Sequence, residues 1–304
     1  MVLYLKLFLL HFIFVLCGEK NASLVLPPRS PCNKCNQSKL NKAQNHSCSP
    51  PNDFSYGEGP TGPDNWPAMF RTCDGDKQSP INIDMSNLRR QRAGALDWSP
   101  AYFNTPKKMT LTNVGHRLVL RANYPDDCQP RLRAGILQKV YTFKAIDFHW
   151  GSTNSKGSEH TVDEYAYPME MHVIHTSGVE FSNLQTVVIA YFFQIGEKRC
   201  TSIDKILEVF TKAVRHPNRP IKLRHPFSLS SLLYAFASEY ITYEGSFTVP
   251  PCQEGVKWII YPYPLEISLK QLEKFRLVCK YARDLVNNYR PIQPLNNRCI
   301  HFVS

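Results

Sequence analysis

The stretch Val140-Tyr141-Thr142-Phe143-Lys144-Ala145-Ile146-Asp147-Phe148-His149-Trp150-Gly151 decides how this chain is read. Its length and its β-branched and aromatic content mark a strand. Side chains two apart on a strand share a face, so Asp147 and His149 project together while Phe148 points the other way. A second run, Glu170-Met171-His172, sets another carboxylate and imidazole on one face. Working outward, further strand-like runs cover 109–120, 170–175, 186–195 and 256–261, separated by Gly, Pro and Asn turns. Two helices stand out. In 202–214 the apolar Ile203, Ile206, Leu207 and Phe210 fall on one face. The other begins near Ser268, with Gln271 three residues on as a capping box, followed by Leu272 and Phe275. No internal repeat is visible. The pattern predicts one β-rich α+β domain over residues 52–304 with short peripheral helices.

The 304 residues are 43% hydrophobic and 20% charged, enough apolar material for a large core. That excludes a wholly disordered, collagenous or coiled-coil chain. Lys and Arg exceed Asp and Glu by 36 to 25, giving +11. The excess sits in short clusters (Arg89, Arg90 and Arg92; Arg131 and Arg133; 215–224) with no aromatic-interleaved basic stripe, so no nucleic-acid partner is expected. A polyanion-binding reading rests on net charge alone.

Residues 2–17 are almost entirely apolar and end at Cys17-Gly18, so 1–18 reads as a secretory signal peptide. No later run is long enough to span a membrane, and the last eight residues are too short and polar for a lipid-anchor signal. The expected localisation is secreted, extracellular. Residues 19–51 are rich in Asn, Ser, Lys and Pro and carry three sequons, at Asn21, Asn36 and Asn45, as an exposed glycosylated extension would. Ten cysteines less Cys17 leave nine, an odd number, most of which should pair outside the cytosol. Cys32 and Cys35 read as a local staple rather than a redox pair.

Asp147, His149 and His172, converging from neighbouring strands, would make a zinc-type site with an open fourth position. Six motifs sharpen this. They are Gln78-Ser79-Pro80-Ile81-Asn82-Ile83; Phe148-His149-Trp150-Gly151-Ser152; Gly157-Ser158-Glu159-His160-Thr161-Val162-Asp163; Glu170-Met171-His172-Val173-Ile174-His175; Tyr243-Glu244-Gly245-Ser246-Phe247-Thr248-Val249-Pro250-Pro251; and Arg290-Pro291-Ile292-Gln293-Pro294-Leu295-Asn296-Asn297-Arg298. Their order and spacing resemble those of the α-class carbonic anhydrases from about residue 52 to the end. The resemblance implies a large twisted, mostly antiparallel central sheet and one Zn²⁺ held by three histidines.

Two of those histidines match His149 and His172; the third position is Asp147. An anionic, shorter ligand would have to be reached by a shift of the metal or the strand, and would make the bound water harder to deprotonate. Ala145 stands where a glutamine normally supports the missing histidine, while Glu170 remains to orient His172. By the same resemblance His116 matches the proton-shuttle histidine. Glu159 and Thr248 match the gatekeeper pair, and Tyr56 a tyrosine of the solvent network. Ile174, Val188, Phe247, Val256 and Trp258 match the apolar wall that holds carbon dioxide. Phe247 is bulkier than the usual leucine, and Val249 sits where many members keep a polar group. Cys73 and Cys252 match a disulfide of secreted members.

These motifs point first to a zinc lyase interconverting carbon dioxide and bicarbonate, with reduced activity. The alternative is a catalytically silent, carbonic-anhydrase-related extracellular binding protein with a protein partner.

Overall fold

In this computed structural model the described residues are 54–178, 185–277 and 286–304. They fall in the unit Ser49–Ser304. The expected leader and extension, the sequons at Asn21, Asn36 and Asn45, and Cys32, Cys35, Cys48 and Cys279 lie outside the described residues.

The frame is a mixed, 12-stranded sheet. Its principal strands are β1 (Lys108–Asn113), β2 (Leu118–Asn123), β3 (Leu137–Trp150), β4 (Met169–Ser177), β5 (Gln185–Gly196), β6 (Tyr240–Ser246), β7 (Glu254–Ser268) and β8 (His301–Val303). They run in the order β1-β2-β3-β4-β5-β7-β6-β8, with Ile221–Lys222 beyond β1 and Arg89–Gln91 beyond β8. Most neighbours are antiparallel; β5 with β7, and β8 with Arg89–Gln91, are parallel.

The run 109–120, expected as one strand, is a hairpin of β1 and β2. Gly115 takes a φ of +99°, which a side-chain-bearing residue rarely adopts, and its N–H donates to Asn113 Oδ1 at 2.8 Å. The turn breaks the run and lifts His116 to its tip.

Alternation along β3 and β4 sorts the two faces. Phe148, Trp150, Met169, Met171 and Val173 enter the larger core cluster. Helix α1 (Thr201–Arg215) lays Ile203, Ile206, Phe210 and Ala213 on that cluster, and Trp150 meets Phe275 of α2 (Leu269–Arg276) with ring centroids 5.3 Å apart. The expected capping box is present: Ser268 Oγ accepts from Gln271 N–H and Gln271 Oε1 accepts from Ser268 N–H. Gln271 Nε2 also donates to Cys200 O and Asp204 Oδ1, tying α2 to the start of α1. The opposite face of the sheet carries a smaller cluster including Val188, Tyr243, Val256 and Trp258, and the functional residues stand on that side.

Candidate metal centre

Antiparallel pairing assembles the site. Asp147 of β3 lies directly opposite His172 of β4, and His149 opposite Glu170. All four side chains are buried. The two imidazoles have ring centroids 4.5 Å apart.

Each imidazole is fixed through the ring nitrogen that faces away from its neighbour. His149 Nδ1 donates to the backbone oxygen of Asn288 at 2.7 Å. His172 Nε2 donates to Glu170 Oε1 at 2.7 Å. Such outer hydrogen bonds set the tautomer that leaves the other nitrogen available to a metal, here Nε2 of His149 and Nδ1 of His172. Burial above all, then the neighbouring His172, pushes the His149 pKa well below the usual imidazole value, so His149 is a neutral ring. For His172 burial pulls the same way, but the hydrogen bond and charge of Glu170 prevail and raise it.

The polar scaffold behind these rings explains the scattered motifs. Glu170 Oε2 accepts from the N–H groups of Glu159 and His160, while Oε1 meets His160 Nδ1. Burial alone would raise the Glu170 pKa; the charges and hydrogen bonds of His160 and His172 carry it well below the carboxylate norm. His160 Nε2 reaches Tyr243 OH at 2.6 Å, which in turn meets Ser79 Oγ at 2.7 Å. The buried Arg290 guanidinium donates to Gln78 Oε1, Ser79 O and Cys73 O. Cys73 and Cys252 form a disulfide beside it.

Glu159 Oε1 accepts the Arg290 backbone N–H at 2.9 Å, and Thr248 lies near enough to this carboxyl to lower its pKa slightly against the larger effect of burial. Burial raises the Glu159 pKa to about 7. The 3.5 Å approach of Glu159 Oε1 to His149 Nδ1 is therefore not an ion pair, because one partner is a neutral ring.

The pocket itself is lined by Arg117, Asp147, His149, His172, Ile174, Val188, Phe247, Thr248, Val249 and Trp258. It leaves about 10 Å³ for the centre of a water-sized body, the room that one water needs. Val256 is packed behind this wall with Val188 and Trp258 rather than on it. His116 is partly exposed, its ring 4.0 Å from that of Phe54. The Tyr56 hydroxyl is buried, and burial, then the charge of Glu159, raises its pKa.

The decisive side chain is one that the motifs do not mark. Arg117 Nη1 donates to Asp147 Oδ2 at 2.9 Å, the Asp side chain 4% exposed and the Arg 27%. The pairing follows from register. Val119 of β2 faces Asp147 of β3, and Arg117 lies in the turn immediately before β2, from where its side chain reaches Asp147. Asp147 Oδ1 has no hydrogen-bond partner among the described residues.

These contacts test whether the zinc that the family resemblance implies fits. His149 and His172 fit, being neutral-capable rings with their outer nitrogens satisfied. Asp147 does not complete the set. Among the described residues two groups of three potential ligands lie close together, His149 with Glu159 and His172, and His160 with Glu170 and His172; Asp147 belongs to neither. Glu159 is no substitute, for the His149 atom that it approaches is already donating to Asn288. The second group is a closed hydrogen-bond network around Glu170. A guanidinium bound to the third carboxylate completes the misfit, because a cation already neutralises the charge that would draw the metal.

A family profile described as eukaryotic-type carbonic anhydrase matches residues 61–304. The chain belongs to this family. It is 31% identical to carbonic anhydrase 7 of Mus musculus over 260 residues, covering 81% of this chain and 96% of the relative. It is 31% identical to carbonic anhydrase 3 of Homo sapiens over 255 residues, 79% and 94%. It is 34% identical to the carbonic anhydrase-related protein of Homo sapiens over 257 residues, 76% and 85%. The Cys73–Cys252 bridge implied by the resemblance is present, and Cys128, Cys200 and Cys299 are unpaired among the described residues. No helix among them is long and apolar enough to cross a membrane.

Arg117, Asn288 and Arg290 escaped the sequence reading as site residues. Arg290 opens the motif at 290–298. Asn288 acts through its backbone oxygen, which no residue type announces. Arg117 had a signal in hindsight of the register: a cation two positions before the β2 residue that faces Asp147.

Proposed function

We propose that this chain is a catalytically silent member of the carbonic anhydrase family, a secreted binding module that has kept the fold and lost the metal. The sequence motifs put hydration first; the Arg117–Asp147 pair favours the alternative. Carbon dioxide hydration needs a metal-bound hydroxide at neutral pH, which three ligands and an open fourth position supply. Here two imidazoles stand ready, and the third position is an aspartate whose charge a guanidinium already satisfies.

The retained residues take on other work. Glu170 of β4 ties down the segment carrying Glu159 and His160 through buried hydrogen bonds, and Glu159 accepts the backbone N–H of Arg290. That gives them a structural reason to persist without turnover. The pocket beside the apolar wall encloses room for about one water. A protein partner would therefore meet the outer surface. The secreted location rests on the apolar residues 2–17 and the cysteine usage.

Stopped-flow hydration from pH 7 to 9, with zinc supplied to the oxidised protein, tests the reading. The expected rate equals the buffer background. A zinc-dependent rate that an anion inhibitor abolishes would restore the enzymatic assignment.

A further inference from the structure

We propose that Arg117 is a resident counter-ion that takes the place of the metal charge, holding the His149/His172 pair free of divalent cations through its grip on Asp147. This inference deepens the silent reading and rests on it.

Four observations carry it. Arg117 lines the same small pocket as His149 and His172, so its positive charge faces the space a metal would enter. Its Nη1 holds Asp147 Oδ2 at 2.9 Å, and that carboxylate is nearly without solvent. A buried carboxylate needs one cationic partner, and it already has it. Both histidines keep the outer hydrogen bonds that prepare a ligand, so nothing in the rings themselves bars a metal. What stands between the rings and a third donor is the hold of Arg117 on Asp147, which keeps the carboxylate out of the group of close-lying ligand atoms. Asp147 Oδ1 is buried and unpartnered among the described residues. Freed from the guanidinium, the carboxylate has an atom with which to serve as third donor.

Arg117 is thus a positioning residue acting through Asp147, and its charge rather than its bulk is what excludes the metal. The test uses the full, oxidised chain and four variants: Arg117→Met, Arg117→Lys, Asp147→Asn and the double Arg117→Met/Asp147→Asn. Each is dialysed against Zn²⁺ and, separately, Co²⁺, with thermal melts to show that it is folded. The readouts are bound metal per chain and the visible Co²⁺ spectrum, which is intense for a four-coordinate site. The wild type is expected to retain no metal. Arg117→Met should take up one equivalent with an affinity gain on the order of 100-fold and a four-coordinate spectrum, the size of effect that neighbours of metal ligands exert. Arg117→Lys, which keeps the charge, should stay empty. The double variant should lose what Arg117→Met gained.

A wild type and an Arg117→Met that are equally empty would overturn this inference while the silent reading stands. A double variant binding as tightly as Arg117→Met would also overturn it, by showing that Asp147 is not the route. A wild type that holds one tight zinc would sink the silent reading itself.

Discussion

Replacing Arg117 by Met in metal-free buffer strips a buried carboxylate of its counter-charge. Removing one partner of a fully buried ion pair costs about 3–5 kcal/mol. Asp147 is that buried, at 4% side-chain exposure, but Arg117 at 27% already lets some water approach. The expected loss for Arg117→Met is therefore about 2–3 kcal/mol. The reverse change, Asp147→Leu, leaves a guanidinium that can turn toward solvent, and should cost about 1 kcal/mol. The double variant Arg117→Met/Asp147→Leu removes both charges and their desolvation penalty, so it should return to within about 1 kcal/mol of the parent. The cycle then gives a coupling of about 2–4 kcal/mol, at the upper end of the range for residues in direct contact. Urea denaturation with a chelator present measures all four corners. In a chain of this size the Arg117→Met loss corresponds to a melting shift of roughly 4–10 °C. Two single losses below about 0.5 kcal/mol that simply add would refute the reasoning, because the two groups would then not be engaged.

Acid–base behaviour gives a second expectation. The Glu159 pKa rises from 4.5 to about 7 on folding, so between those values the folded state binds more protons than the unfolded one, and stability falls as pH rises. Glu159→Gln, which still accepts from the Arg290 N–H, should flatten the decline between pH 4.5 and 7; a slope as steep as the parent's counts against it. The lowered Glu170 works oppositely: its contribution is complete above the ordinary carboxylate range and is lost as pH falls through its folded value. Glu170→Gln should therefore lose stability at pH 7 and lose less on acidification than the parent does, read from melts at pH 3, 5 and 7. The Cys73–Cys252 bridge closes a separation of 179 residues, which by chain-entropy arithmetic is worth about 5 kcal/mol. Cys73→Ser/Cys252→Ser should lower the melting temperature by roughly 10 °C, and an unchanged melt would show that the loop is constrained by other means.

Much of the architecture was legible because alternation on a strand is a geometric necessity. Asp147 and His149 share a face, and Phe148 enters the core, as period-2 reading demands. The capping box at Ser268 and Gln271 was readable for the same local reason. The run 109–120 failed because a continuous stretch of strand formers hides a turn, and Gly115 and His116 mark it only once the positive φ is known. The site was legible as a set of residue types but not as a charge balance. Whether Asp147 faces a metal or a guanidinium depends on the β2–β3 pairing and on the β1–β2 turn that carries Arg117 to it, neither of which residue type alone reveals. Likewise Asn288 supports His149 with a backbone oxygen brought from 139 residues away.

Crystals of the oxidised chain soaked in zinc, with anomalous diffraction collected at the zinc edge, address the central claim most directly. The expected map has no peak between His149 and His172, and the Arg117 guanidinium is ordered within hydrogen-bond distance of Asp147. A full-occupancy peak with Asp147 at about 2.0–2.2 Å and Arg117 swung away would contradict it.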